Sequence, residues 1–319
     1  MIKSRLPKSN SIASRVARRL DRLLEEKVID LSAIREGRAI AERLQATAPA
    51  DNVLDELHPA HATYAYVQNQ ISILAEALSQ LDDLDRISEI VSRAEDEYVP
   101  SQPPMSPVTR SFFNTWTLFD CGVGIERETF GTILLALAAR LRMSAEFADL
   151  LGKWQASRFG LFELEAEAGE TARLRELVTG ARIEAVNPTR YKGARGTIWY
   201  VRALPPPVAG FSQHVIVTTP YEVTVPGEQA WMAFLGRTLP KTKIADTRHA
   251  YEHLMKWGLG SNYWAEYVFE AYAGHDPDGI RLMGLPDVPE SRPHSRMNEA
   301  DGRHLRAWLL SDRMGTGAM

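Results

Sequence analysis

The chain reads as an α+β protein, predominantly helical: an N-terminal helical hairpin or bundle region, then a small five-stranded antiparallel β-barrel, SH3- or OB-like, wrapped by helices. Three observations point there. Apolar residues recur every three or four positions through the first third of the chain. The period then drops to two between about 159 and 222, and afterwards returns to helical spacing. A proline-rich segment separates the first regime from the rest.

The first helix starts near Ser11, where Ile12, Val16, Leu20, Leu23 and Val28 fall on one stripe. Asp30 or Ser32 can cap the next, which carries Ile34, Ile40 and Leu44 before Pro49 stops it. A long helix is expected from His58 to Tyr98. Pro59 suits a first helical position, and Ile71, Leu74, Leu78, Leu81, Leu84, Ile87 and Val91 supply its buried face. That spacing is close to a heptad and suits an antiparallel hairpin or a contact with a second copy. Residues 1–98 are thus a helical region with a basic arm. Residues 99–108, with four prolines, form a linker, and 109–319 form the body.

In the body, helices are expected at Phe112–Phe119, Arg127–Leu141 and Ser144–Arg158, within 109–158. The barrel spans 159–222. Phe162, Leu164 and Ala166 alternate with Glu163, Glu165 and Glu167, the pattern of a half-buried strand. Strands 172–178 and 181–187 flank Thr179-Gly180, and strands 197–204 and 214–219 are rich in Ile, Val, Trp, Tyr and Thr. C-terminal helices fill 226–311. One runs Pro226–Leu235, one from Asp246 to Gly258, and one from Ser261 or Asn262 carries a core stripe of Trp264, Tyr267, Val268, Ala271 and Tyr272. Three prolines make 284–295 an extended strap before a last helix at 299–310.

Bulk composition narrows the function. The net charge of −4 and pI near 6.1 lack the Lys/Arg excess by which nucleic-acid domains neutralise phosphate. No run approaches about 18 apolar residues, so no membrane span is expected. One cysteine, Cys121, excludes an intrachain disulfide framework and suits a reducing, cytoplasmic setting. The basic start (Lys3, Arg5, Lys8, Arg15, Arg18, Arg19, Arg22 against Asp21) reads as an arm running into helix, with an organellar transit peptide as the alternative.

Few residues carry the pattern of chemistry. His249-Ala-Tyr-Glu-His253 fits H-x-x-E-H. On a helix His249 and His253 share a face and can reach one zinc, with Glu252 as general base for its water. Over these five residues the chain resembles the inverzincin metallopeptidases, which implies a zinc-dependent hydrolase with a downstream glutamate ligand. Glu266, Glu270 and Glu290 are the acids available. His58-Pro-Ala-His61, after Asp55 and Glu56, has metal-like spacing but sits where a helix dipole favours acids. The glycine-rich loop Arg190-Tyr-Lys-Gly-Ala-Arg-Gly196, with Arg182 before it, offers Arg182, Arg190, Lys192 and Arg195 to an anion. Its GxxG lies between strands, not helices, so it is not a KH clamp. Gly122-Val-Gly124 lacks the context of a dinucleotide loop, and neither a nucleophile elbow nor a Walker A loop occurs. The expectation is a non-enzymatic protein-binding or assembly protein, acting through its N-terminal helices on a protein partner or a second copy. The zinc hydrolase is the alternative, and an anion-binding face is a third reading.

Overall fold

The computed structural model describes residues 11–25, 56–79, 81–98, 107–223 and 228–257. The expected helices over 32–44, 261–274 and 299–310, the strap and most of the linker lie outside them.

Helix α1 is Ile12–Glu25, and Ile12, Ala13, Val16 and Ala17 are its buried side. The long helix expected from His58 to Tyr98 is two helices, α2 (Pro59–Ser79) and α3 (Asp85–Tyr98), split by a 3₁₀ turn at Asp82–Leu84. Leu81 is extended there (φ −93°, ψ 123°), so the axis breaks. The break turns Leu84 and Ile87 into the core. It also leaves Asp82 and Asp83 facing Arg19 and Arg15 of α1, at 3.4 and 3.6 Å. An apolar stripe alone does not show such a break, because both segments keep the helical period.

Helix α4 is Pro107–Phe119. Helix α5 is Phe130–Leu137: a capping box of Thr129 and Thr132 sets its start, and it ends short of Leu141 where the chain tightens into turns, the Ala138 amide donating to the Leu135 carbonyl and that of Arg142 to Ala139. Helix α6 is Ala145–Ala156, with Ser144 accepting from the Phe147 amide as expected of its cap. After the sheet come α7 (Glu228–Thr238) and α8 (Thr247–Trp257), the latter started by Asp246, which accepts from the His249 amide at 2.7 Å.

The strands are β1 (Phe159–Ala168), β2 (Thr171–Glu176), β3 (Arg182–Val186), β4 (Ile198–Leu204), β5 (His214–Ile216) and β6 (Tyr221–Val223). Five of them close a barrel in the order β1-β2-β3-β5-β4 and back to β1, and β6 adds to β4. Two corrections follow. The sheet is mixed, since β3 and β5 run parallel through Ala185–His214 and Val186–Val215. The all-antiparallel expectation fails because β5 returns beside β3 only after the chain has first laid down β4. The sixth strand was also unforeseen. Its three residues are too short to show a period.

Helices and barrel together account for the α+β class. In β1 the alternation holds to Leu164. A bulge between Leu164 and Ala166 then shifts the register and leaves Ala166 exposed. The tight two-residue turn is Gly169-Glu170, with Gly169 at φ 62°, and not Thr179-Gly180. Leu177, just past β2, is buried and its amide still donates to the Leu161 carbonyl of β1, and five residues connect β2 to β3.

The barrel interior holds Phe162, Leu164, Leu174, Trp199, Val201 and Ile216. The other face of β1 and β4 (Phe159, Leu161, Tyr200) packs into a second cluster that runs continuously to Trp154, Phe112, Tyr64 and Val16. The N-terminal helices therefore share one core with the body.

Candidate functional site

Where α4, α6, β4 and α8 converge, the interior is ionic. Arg202 is fully buried in the middle of β4 and donates to both oxygens of Asp120, at 2.8 and 2.9 Å. It also donates to the Ser157 hydroxyl and carbonyl, both at 2.8 Å. Lys256 of α8 donates from Nζ to Asp120 Oδ1 at 2.8 Å, to the Ser157 carbonyl at 2.9 Å and to the Phe119 carbonyl at 3.3 Å. Those carbonyls belong to the C-terminal ends of α4 and α6, where unpaired C=O groups and the helix dipole favour cations. Three ammonium hydrogens thus meet three acceptors. Burial still pushes Lys256 down to about 8. Asp120 opposes that shift and Arg202 adds to it. This is a structural clasp: every polar atom in it is spent.

A second bridge joins β2 to the barrel's entry. Arg158 donates to Glu176 at 2.6 Å, and Thr179 donates to the other Glu176 oxygen at 2.5 Å. The Leu161 amide donates to the Tyr251 hydroxyl of α8 at 3.3 Å.

The H-x-x-E-H residues lie on α8 as the spacing requires. His249 is exposed. Glu252 accepts from Arg248 at 3.1 Å and lies 3.9 Å from Arg158. His253 is held below the usual imidazole value by burial, then by the charges of Arg127 and His249. Among the described residues, no group of three or more His, Cys, Asp or Glu is placed to hold a metal. Glu266, Glu270 and Glu290 lie outside the described residues. At α2, His58 Nδ1 accepts from the Ala60 amide at 3.2 Å. His61 is lowered by burial, which outweighs the pull of Glu170 in the opposite direction. Cys121 is buried and its thiol is pushed up to about 11, first by burial and then by Asp120, so it is a protonated thiol at neutral pH.

The anion-loop candidates are engaged with carboxylates and carbonyls of the same sheet. Arg182 donates to Glu165 at 2.9 Å, Arg190 to Glu170 at 2.7 Å, and Lys192 to the Gly169 carbonyl at 2.9 Å. Arg195 is exposed. Gly193 lies on the Trp199 indole so closely that a Cβ there would stand 2.7 Å from Nε1.

Helix α2 has two opposed faces. Ala60, Tyr64, Val67, Ile71 and Leu78 are buried. On the other side Tyr66, Ser72, Glu76 and Ala77 are exposed, Tyr66 by 52%, and Ala62, Asn69, Gln70 and Ile73 are half-buried. Glu76 is the one Asp, Glu, Lys or Arg in this 21-residue helix.

Sequence reasoning missed Asp120, Arg202 and Lys256. One signal was available: Arg202 is the lone charge in Ile-Trp-Tyr-Val-Arg-Ala-Leu, a strand otherwise built for burial. Comparison with known proteins finds no matching family model, no matching curated relative and no matching solved structure.

Proposed function

We propose that this is a non-enzymatic protein-binding or assembly protein of the cytoplasm, which meets another protein or a second copy of itself through its N-terminal helices. The observation that carries this reading is the outward face of α2. Solvated helix faces are charged, as on α1 with Arg18 and Arg22. The outward face of α2 instead presents Tyr66, Ala77 and Ser72 with a single charge, Glu76, and half-buried Ala62, Asn69, Gln70 and Ile73. Depletion of charge with an exposed tyrosine is the compositional mark of an interface centre. No helix among the described residues is long and apolar enough to cross a membrane, so α2 is not read as a membrane segment.

The barrel supports the same reading by its occupancy. Its closed order with β3 parallel to β5 is OB-type, and barrels of that type hold ligands on the β2–β3 face and adjoining loops. Here that face is laced by Arg175 with Glu163, Arg182 with Glu165 and Arg173 with Glu184, so its cations are spent within the sheet. This speaks against phosphate backbones as the partner, and fold likeness alone assigns no ligand. The zinc-hydrolase reading gains no third ligand from the described residues.

The test is sedimentation of the full chain over a wide concentration range, alone and with Tyr66→Glu plus Ala77→Arg. Both positions are exposed, so the variant keeps its melting temperature within about 2 °C. Association that the double variant abolishes supports the reading. A wild-type monomer throughout removes self-association. The protein-partner form then stands only if a partner captured by the wild type is lost by the variant.

A further inference from the structure

The loop 187–197, which joins β3 to β4, lies over the indole of Trp199. Its frame is its own: buried Asn187 donates to the Tyr191 carbonyl at 2.9 Å, and Thr189 donates to Asn187 Oδ1 at 2.8 Å. Arg190 on Glu170 and Lys192 on the Gly169 carbonyl pin it to the turn after β1. Gly193 makes the closest approach, since a Cβ there would stand 2.7 Å from Trp199 Nε1 and 3.1 Å from Leu164. The N–H edge of the indole thus faces the loop. Trp199 is fully buried, and this N–H has no acceptor among the described residues. A buried donor left so is unfavourable, and an arriving acceptor relieves it. The Trp154 indole is also without an acceptor, but it is sealed between Tyr64 and Phe119 in the helical core.

Tyr191 completes the arrangement. Its ring meets that of Trp199 edge-on, with centroids 5.8 Å apart, and its hydroxyl donates to Glu222 at 3.0 Å. Glu222 of β6 pairs with Trp199 across the sheet, so the two side chains share a face. Burial, then the bond to Glu222, pushes the Tyr191 phenol up to about 12, so it is a donor at neutral pH. Tyr191 itself is 36% exposed, whereas Trp199 beneath it is closed. One six-membered ring with one donor therefore sits against an aromatic wall and a carboxylate, beside an unused N–H.

We infer that Trp199 and Glu222 form a binding site for a planar cyclic amide, a six-membered ring carrying an N–H next to a carbonyl, and that Tyr191 occupies this site as a tethered stand-in. The ligand ring takes the place of the phenol against the indole, its N–H donates to Glu222, and its carbonyl accepts from Trp199 Nε1. Tyr191 cannot serve both protein groups, because its one hydroxyl hydrogen is spent on Glu222. The loop is free to lift: the Arg190–Glu170 pair that pins it is exposed and holds it weakly. As a competitor on the same chain, Tyr191 lowers the apparent affinity by the fraction of molecules in which it is out of the way. This site is separate from the α2 face and does not depend on it.

The experiment titrates 2-pyridone, and separately N-methyl-2-pyridone, into the full-length protein and follows the indole N–H resonances by NMR. The Trp199 signal is identified by its loss in Trp199→Phe and, independently, by its shift in Tyr191→Ala. Tyr191→Ala leaves the loop frame intact, since Asn187 holds the backbone carbonyl of that residue. In Tyr191→Ala the Trp199 signal should move saturably with 2-pyridone, at a concentration about tenfold lower than in the wild type. Tyr191→Phe, which keeps the ring and frees Glu222, should fall between. N-methyl-2-pyridone, which has no donor for Glu222, should bind about tenfold more weakly than 2-pyridone. The site is overturned by a Trp199 signal that does not move saturably in either tyrosine variant, by wild type binding as tightly as Tyr191→Ala, or by equal binding of the two pyridones.

Discussion

The carboxylate of Glu128 holds the N-terminal end of α1: it accepts from the Ile12 amide at 2.6 Å and from the Ala13 amide at 3.0 Å. A residue 116 positions away in sequence thus caps the first helix, satisfying two of its four unpaired amides and placing negative charge at the positive end of the dipole. Ser11 adds a local cap through the Ser14 amide at 3.1 Å.

Glu128→Ala should therefore cost about 1–2 kcal/mol in chemical denaturation. The loss should be local as well as global. Amide exchange in 12–17 should accelerate more than in α5 or α6, because the cap belongs to α1 alone. Uniform acceleration across the molecule would contradict a capping role.

Asp120→Asn should cost about 3–5 kcal/mol, since it leaves Arg202 and Lys256 buried together without their counter-ion. Adding Lys256→Met should recover part of that loss, and Lys256→Met alone should be mild because Arg202 still holds Asp120. A double-mutant cycle from urea midpoints measures the coupling. Additive losses would mean that the three groups do not act as one clasp.

The pH dependence has a definite sign. Burial holds Lys256 near 8, below the ordinary lysine value of 10.5. Between those values the unfolded chain binds the extra proton, so the contribution of Lys256 to stability rises with pH through that window and is absent below it. The buried tyrosines Tyr64, Tyr200 and Tyr251, all raised, work the other way above about pH 10. Comparing wild type with Lys256→Met cancels the tyrosine part. The gap in melting temperature should shift in favour of the wild type from pH 7.5 to 9.5, and a constant gap would refute the buried-lysine account.

Gly131→Ala should destabilise by about 1–3 kcal/mol. An added Cβ would stand 2.3 Å from Gln155 Oε1 and 2.8 Å from the Phe119 ring. Gln155 cannot yield cheaply, because it accepts from the Thr129 hydroxyl at 2.7 Å and donates to the Phe119 carbonyl at 3.0 Å. Gly131 is buried, and calorimetry reads this clash net of the roughly 1 kcal/mol by which alanine favours a helix over glycine.

Several elements were legible before any coordinates. The caps Ser144 and Asp246 announce α6 and α8, and the β-branched and aromatic runs announce β1 through β5. The H-x-x-E-H spacing also reads correctly as one helix face. The acceptors of Lys256 on the same helix were not legible, because they arrive from the ends of α4 and α6, 137 and 99 positions earlier. The same holds for the partners of the basic loop, whose carboxylates lie on β1 and its turn.

Periodicity, caps and turn residues are local, since each depends on neighbours within about four positions, and they marked most of the described helices and the first five strands. The β3–β5 parallel contact, the break at Leu81, the Glu128 cap on α1 and the Arg202–Asp120–Lys256 clasp were decided only by the tertiary structure. Apart from the break at Leu81, each joins groups whose separation in sequence carries no periodic signal. Each forms because packing removes water from a charge or an amide that must then find whatever partner the fold brings within reach.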